Sequence, residues 1–199
     1  MESLRLDTAA VVQASAVLIL LAGGLLVYRT FREKYLLAWL LGWVAYLLHK
    51  MAVVASQSSA GGSRAAFTLA SPILFTGALF LMAAAILYYT NRTRWMTPLA
   101  IVSLVSVNVA VVYALWPHSG LLEYTLDALY TIIKAGAAVQ MALFSRGRRS
   151  VGPWLLTFSF LFVHMHGAGG GQHGTLDLMI ELLLALSMVI IVLDDSQAR

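Results

Sequence analysis

The chain has 199 residues, 60% of them hydrophobic and 11% charged, against roughly 25% charged in ordinary soluble domains. That balance names a lipid bilayer as its solvent and leaves no stretch for a soluble domain. Cysteine is absent, which excludes disulfides and thiolate metal sites, and the formal net charge of +4 lies mostly at helix borders, where it reports topology before it reports a nucleic-acid partner.

The first apolar run, about residues 9–28, is long enough to cross ~30 Å of hydrocarbon at about 1.5 Å per residue. Acidic Glu2 and Asp7 flank it and no clear cleavage site follows, so it reads as a span and not as a signal peptide. Further runs fall at about 35–55, 66–89, 97–116, 121–144, 153–168 and 175–193, separated by polar or glycine-rich breaks. The expectation is an all-α, polytopic seven-transmembrane bundle forming one domain over residues 1–199. The sixth run is the shortest; it carries His164 and His166 and ends in Gly167, Gly169, Gly170 and Gly171, as a short or tilted span would.

Basic residues orient the bundle. Arg29, Arg32, Lys34, Arg92, Arg94, Arg146, Arg148 and Arg149 follow runs one, three and five, and Arg199 closes the tail, while Arg5 and Arg64 are alone on the other side. Short loops rich in Lys and Arg stay in the cytoplasm, so the N-terminus is expected outside and the C-terminus inside. No internal repeat of the kind seen in inverted-repeat carriers is visible.

Lys50, Glu123, Asp127, Lys134, Asp177 and Glu181 fall inside the runs. Each costs ~2.5–3.5 kcal/mol near a helix centre, so they are expected to face the bundle interior and find partners. Glu123 and Asp127 share a helical face with Tyr130, Thr131 and Lys134; His173, Asp177 and Glu181 share another; and Trp39, Trp43, Tyr46 and Lys50 line run two with His49 beside them. Most of these groups, together with His118 in the loop before run five, map to the outer half of the bundle. Two readings stay open: Lys–acid pairs with half-solvated histidines, or an outward-opening pocket that takes protons, a metal ion or a small polar ligand. The pocket residues are His49, Lys50, Glu123, Asp127, His164, Asp177, Glu181, Trp39 and Trp43. For zinc or copper the ligand trio is His164, His173 and Asp177, because two histidines only two positions apart, such as His164 and His166, diverge on a helix. The glycine-rich stretch from Gly167 to Gly174 lacks the Lys-Ser/Thr ending of a phosphate loop and reads as a connector. Pro72 is expected to kink run three, and Asn108 offers a hydrogen bond between helices.

The N-terminal quarter, with Tyr28-Arg29 followed by Arg32-Glu33-Lys34-Tyr35-Leu36-Leu37-Ala38-Trp39-Leu40-Leu41-Gly42-Trp43, resembles the seven-transmembrane input regions of bacterial sensor histidine kinases and diguanylate cyclases. The tail Val192-Leu193-Asp194-Asp195-Ser196-Gln197-Ala198-Arg199 is similar to the point where such proteins continue into a cytoplasmic signalling helix. The resemblance implies a sensor in the bacterial inner membrane, part of a two-component or cyclase pathway. Its partners would be the lipid bilayer, a small-molecule or ion ligand, a second copy as homodimer, and a kinase or cyclase output domain, with no nucleic acid. No kinase or cyclase motif occurs in the chain itself, so no catalytic residue is expected. Two alternatives come from the same residues. One is an intramembrane zinc hydrolase, resembling the alkaline ceramidases and progestin/adipoQ-type receptors, whose metal site lies on the cytoplasmic side; the other is a small proton-coupled transporter. A retinal protein is excluded by the lack of a lysine in run seven.

Overall fold

In the computed structural model, residues 8–116, 119–146, 151–167 and 174–197 are described, with side chains for 15, 17–57, 59–116, 119–146, 151–160, 179, 182–184 and 186–194. Among these residues every regular element is helical: α1 Thr8–Phe31, α2 Lys34–Ser58, α3 Gly61–Tyr89, α4 Met96–Leu115, α5 Gly120–Ser145, α6 Gly152–Gly167 and α7 Gly174–Gln197, with one 3-10 turn, Thr93–Trp95, before α4. Four stretches, Lys34–Gln57, Gly61–Tyr89, Thr93–Leu115 and Gly120–Ser145, are long and apolar enough to cross a membrane. The described parts of α1 and α7 contribute the shorter apolar stretches Val17–Phe31 and Leu182–Asp194. Helix α6, at 16 residues, is ~24 Å long and falls short of ~30 Å of hydrocarbon.

Helix ends follow backbone geometry more than hydropathy. Helix α3 begins at Gly61, five residues before the apolar run at 66, because Gly61 at φ +61° turns the chain tightly and Gly62, Ser63 and Arg64 are already helical though polar. At its other end Asn91, φ 54°, closes a double cap. The amide of Arg92 donates to the Leu87 carbonyl at 2.8 Å and that of Asn91 to Tyr88 at 3.2 Å, the paired bonds of a left-handed helix stop for which asparagine is the common substitute for glycine. Helix α1 ends on Arg32, φ 51°, whose amide donates to the Tyr28 carbonyl at 2.7 Å.

Around the bundle the contacts close a ring in the order α7, α1, α2, α3, α5, α6 and back to α7, with α4 outside against α3 and α5. The most extensive pairing is α2 with α3. It is close because Gly42 has no Cβ; one there would lie 2.9 Å from Met82 Cγ and 3.3 Å from the Ala78 carbonyl oxygen. At the end of the bundle that carries Arg29, Arg32, Lys34, Arg92, Arg94 and Arg146, the rings of Tyr35, Tyr89 and Phe144 meet edge to face at 5.2 and 5.0 Å and tie α2, α3 and α5 together. The core joins Trp39, Trp43, Met82, Ile86, Met141, Leu156, Phe160 and Met188. The outer surface is the reverse of a soluble protein's: Ile19, Leu26, Leu104, Leu115, Val139 and Leu186 stand more than half exposed, while Ser106, Ser145 and Ser187 are sealed inside.

Candidate functional site

Hydroxyl groups in an apolar bundle must find acceptors, and the nearest is the carbonyl one turn back on the same helix. Most take it: Ser106 donates to Val102, Ser145 to Met141, Thr157 to Pro153 and Ser159 to Leu155, at 2.7, 2.7, 2.9 and 2.8 Å. Asn108 does the same, its amide donating to the Leu104 carbonyl at 2.7 Å, so it turns back on α4 instead of linking helices as its type suggests.

Among the described residues, side-chain links from α2 and from α5 land on α3 on either side of Pro72. On one side, His49 of α2 reaches Ser71, with Nδ1 2.9 Å from the Ser71 carbonyl oxygen and 3.0 Å from its hydroxyl. A carbonyl only accepts, so the first contact puts the hydrogen on Nδ1 and leaves Nε2 with the lone pair in the neutral ring. On the other side, Thr76 donates to the Pro72 carbonyl at 2.8 Å, or shares its hydrogen with the Tyr130 hydroxyl of α5, 3.0 Å away. The ring of Phe75 sits between, 5.0 Å from His49 and 5.1 Å from Tyr130. Proline explains the location. It removes a backbone donor and loosens the ladder, so side chains from neighbouring helices gather where α3 is weakest.

The line read on run two is real. Trp39, Trp43, Tyr46 and His49 stack in succession at 6.4, 5.8 and 6.0 Å, and the Lys50 ammonium lies 5.2 Å over the Tyr46 ring, a cation–π contact. Lys134 is buried, 9% exposed, on the face of α5 that carries Tyr130. It lies fourteen residues past Gly120, ~21 Å along a helix of 26 residues that measures ~39 Å, and so close to its middle. The charge whose field reaches it is that of Asp127, seven residues earlier on the same helix.

The expectation that the acids turn inward does not hold for α5: Glu123 and Asp127 are both exposed. They begin the helix where it leaves the bundle, and carboxylates there keep water or headgroup contact at little expense. Trp39 and Trp43, at the far end of the α2 line from His49, also wall a cavity of about 50 Å³ between α1, α2 and α7, together with Gly24, Val27, Met188 and Val192. Trp43 is 3% exposed, and its indole N–H has no hydrogen-bond partner among the described residues.

His164 lies on α6 and Asp177 and Glu181 on α7, but their side chains fall outside the described residues, as do His173 and His118 entirely. Among the described residues no group of three or more His, Cys, Asp or Glu side chains is placed to hold a metal. Ser71, Phe75 and Thr76 escaped the sequence reading. The signal for two of them was present, since hydroxyl residues stand one before and four after Pro72. No protein-family model, curated protein or solved structure matches the chain.

The Thr76–Tyr130 link is testable alone. Tyr130→Phe, Thr76→Val and the double variant are expected to give a coupling of about 0.6 kcal/mol, and at most about 1.7, in reversible unfolding of the detergent-solubilised protein, the range of side-chain hydrogen bonds in bilayer bundles. Additive single effects would mean that the two hydroxyls do not share a hydrogen.

Proposed function

We propose that this chain is a seven-span sensory module of the bacterial inner membrane, with its N-terminus outside and C-terminus in the cytoplasm. A proton, metal ion or small ligand entering from outside acts on the polar seam of α2, α3 and α5, and α7 carries the change to a cytoplasmic output. The observation that supports it best is the convergence of cross-helix links from α2 and from α5 on residues 71–76 of α3, around Pro72. A proline-weakened turn held by two side-chain hydrogen bonds has two arrangements close in energy, bonded and released, and anything that binds one better shifts the balance. Buried Lys134 adds to the case, because an ionisable side chain in mid-membrane is retained where it serves transport, relay or ligand binding. His49, Lys50, Glu123, Asp127, His164, Asp177 and Glu181 line the outer approach under this topology, and His164, His173 and Asp177 remain the ligands for zinc or copper. The likeness of the N-terminal quarter to kinase and cyclase input regions supplies the homodimer and the kinase or cyclase output.

Because these 199 residues contain no cysteine, a thiol introduced into them is a unique label. A membrane-impermeant maleimide is expected to label Ala60→Cys on intact cells and Asn91→Cys only after permeabilisation; the reverse pattern would overturn the orientation. Nitroxides at Thr68 and Leu193 are expected to change separation between pH 8 and pH 5.5, or on adding zinc, and His49→Ala should remove the change. A distance distribution that ignores both pH and zinc would overturn the proton and metal versions of the reading.

A further inference from the structure

We infer that the outward face of α4 is the contact surface for a second copy of this chain, with Asn108 of each copy hydrogen-bonded to its counterpart across a two-fold axis along the membrane normal. The inference gives the homodimer of the sensory reading a surface. It rests on that reading for the homodimer alone, and association is measurable whether or not the protein responds to a ligand.

Helix α4 stands outside the ring. Among the described residues it packs on α3, α5 and the 3-10 turn that leads into it, and it is the least buried of the four long apolar stretches. Its inward side is made of small residues, with Ser103, Ser106 and Ala110 buried against the bundle. Asn108 lies two positions from Ser106 and two from Ala110, roughly 200° round the helix from each, and is exposed. Its carboxamide carries two N–H donors and a carbonyl oxygen. One N–H goes to the Leu104 carbonyl at 2.7 Å. Among the described residues no further hydrogen bond takes up the other N–H or the oxygen.

Depth makes this amide a demand for a partner. Asn108 is twelve residues past Met96 in a helix of 20, ~18 Å along ~30 Å, so water and headgroups lie ~10 Å or more away on either side of it. Acyl chains supply neither donor nor acceptor, and polar groups in hydrocarbon must be satisfied within protein. The occupant of this face therefore brings both a donor and an acceptor to mid-membrane. A second copy inserted in the same orientation does so by symmetry. Its own Asn108 stands at the same height, and a carboxamide is self-complementary, the N–H of each donating to the oxygen of the other.

The residues around Asn108 suit a parallel helix. Ile101, Val105, Asn108, Val112 and Leu115 are all exposed and follow one another at intervals of four, three, four and three. That is a period of 3.5, which keeps one row facing a partner helix in a left-handed supercoil, where a 3.6 period would drift away. Ile101, Val105 and Val112 are β-branched, and their rotamers are already restricted by the helix, so packing them costs little further freedom. Lipid accepts any apolar residue in any order. A row with period 3.5 centred on an amide matches the way one asparagine fixes register and copy number in paired helices.

The test uses the full chain in liposomes, with donor and acceptor dyes on Thr93→Cys, and follows energy transfer as added lipid dilutes the protein. A dimer-to-monomer transition is expected. Asn108→Leu should raise the dissociation constant about tenfold to 300-fold, the worth of two interhelical hydrogen bonds, while the helical circular dichroism stays that of the wild type because the replaced side chain faces lipid. Asn108→Gln keeps the amide and should restore most of the association. Oxidation should cross-link Leu115→Cys between copies and leave Ile19→Cys, as exposed but on α1, uncrosslinked. Energy transfer no greater than chance proximity at every dilution, Asn108→Leu associating as tightly as the wild type, or Ile19→Cys cross-linking as well as Leu115→Cys would each overturn the inference. A dimer held by Asn108 that ignores pH and zinc would support it and count against sensing; a pH or zinc response in a protein that stays monomeric would overturn it and leave sensing in place.

Discussion

Lys134→Met is expected to raise the thermal midpoint of the solubilised protein and to abolish any proton- or ligand-dependent movement of α7. The two effects have one cause. Lys134 is 9% exposed near the middle of α5, where insertion of a lysine costs ~2.5–3.5 kcal/mol, and its field partner Asp127 is exposed, seven residues away. Methionine keeps the length of the aliphatic stem, fills the same space beside Tyr130 and Ile133, and carries no charge to desolvate. A gain of about 1–3 kcal/mol follows, with loss of function as its companion, the usual trade at a site that holds an unfavourable group for a purpose. Lys134→Ala separates charge from packing. It removes the charge and also the stem, so it should stabilise less than methionine or destabilise by the cavity it leaves. If methionine lowers the midpoint as far as alanine does, the ammonium is structural and the seam loses its strongest functional mark.

What the sequence disclosed was one-dimensional: which segments are apolar, where charges interrupt them, and which residues share a helical face. On that basis the helical class, the α2 line of Trp39, Trp43, Tyr46 and Lys50, and the special standing of Pro72 were readable. Neighbours were not. Nothing in the spacing of α3 and α5 says that Tyr130 meets Thr76, because which helix stands beside which is set by loop lengths and by close-packing glycines such as Gly42. Nor does hydropathy separate a carboxylate that turns inward from one at a helix start that turns out, so the sequence pattern points Glu123 and Asp127 to an interior they do not enter. The same limit explains Trp39 and Trp43. Their line with His49 is continuous along α2, yet the cavity they wall belongs to α1 and α7, which no pattern within α2 reveals.

Gly152→Ala should be among the most damaging single methyl additions in the bundle. Helix α6 starts at Gly152, followed by Pro153, a residue suited to the first turn because its missing amide would have no partner there. That end packs on the last turns of α7 so closely that a Cβ on Gly152 would lie 2.9 Å from the backbone nitrogen of Ile191 and 2.8 Å from its Cγ1. A flexible side chain yields to such a contact, but backbone does not, so α6 and α7 must part. Overpacking of this kind costs about 1–3 kcal/mol, or roughly 2–12 °C of thermal midpoint at this chain length. Gly136 on α5 is the matched control, since a Cβ there meets nothing within 4 Å, and Gly136→Ala should stabilise by about 0.5–1 kcal/mol through helix propensity alone. Opposite signs at the two glycines would establish that α6 grips α7 at Ile191. Because α7 is the proposed route to the cytoplasm, Gly152→Ala should also move the Leu193 nitroxide without any ligand; equal, small effects at both positions would remove that grip and α6's hold on the relay with it.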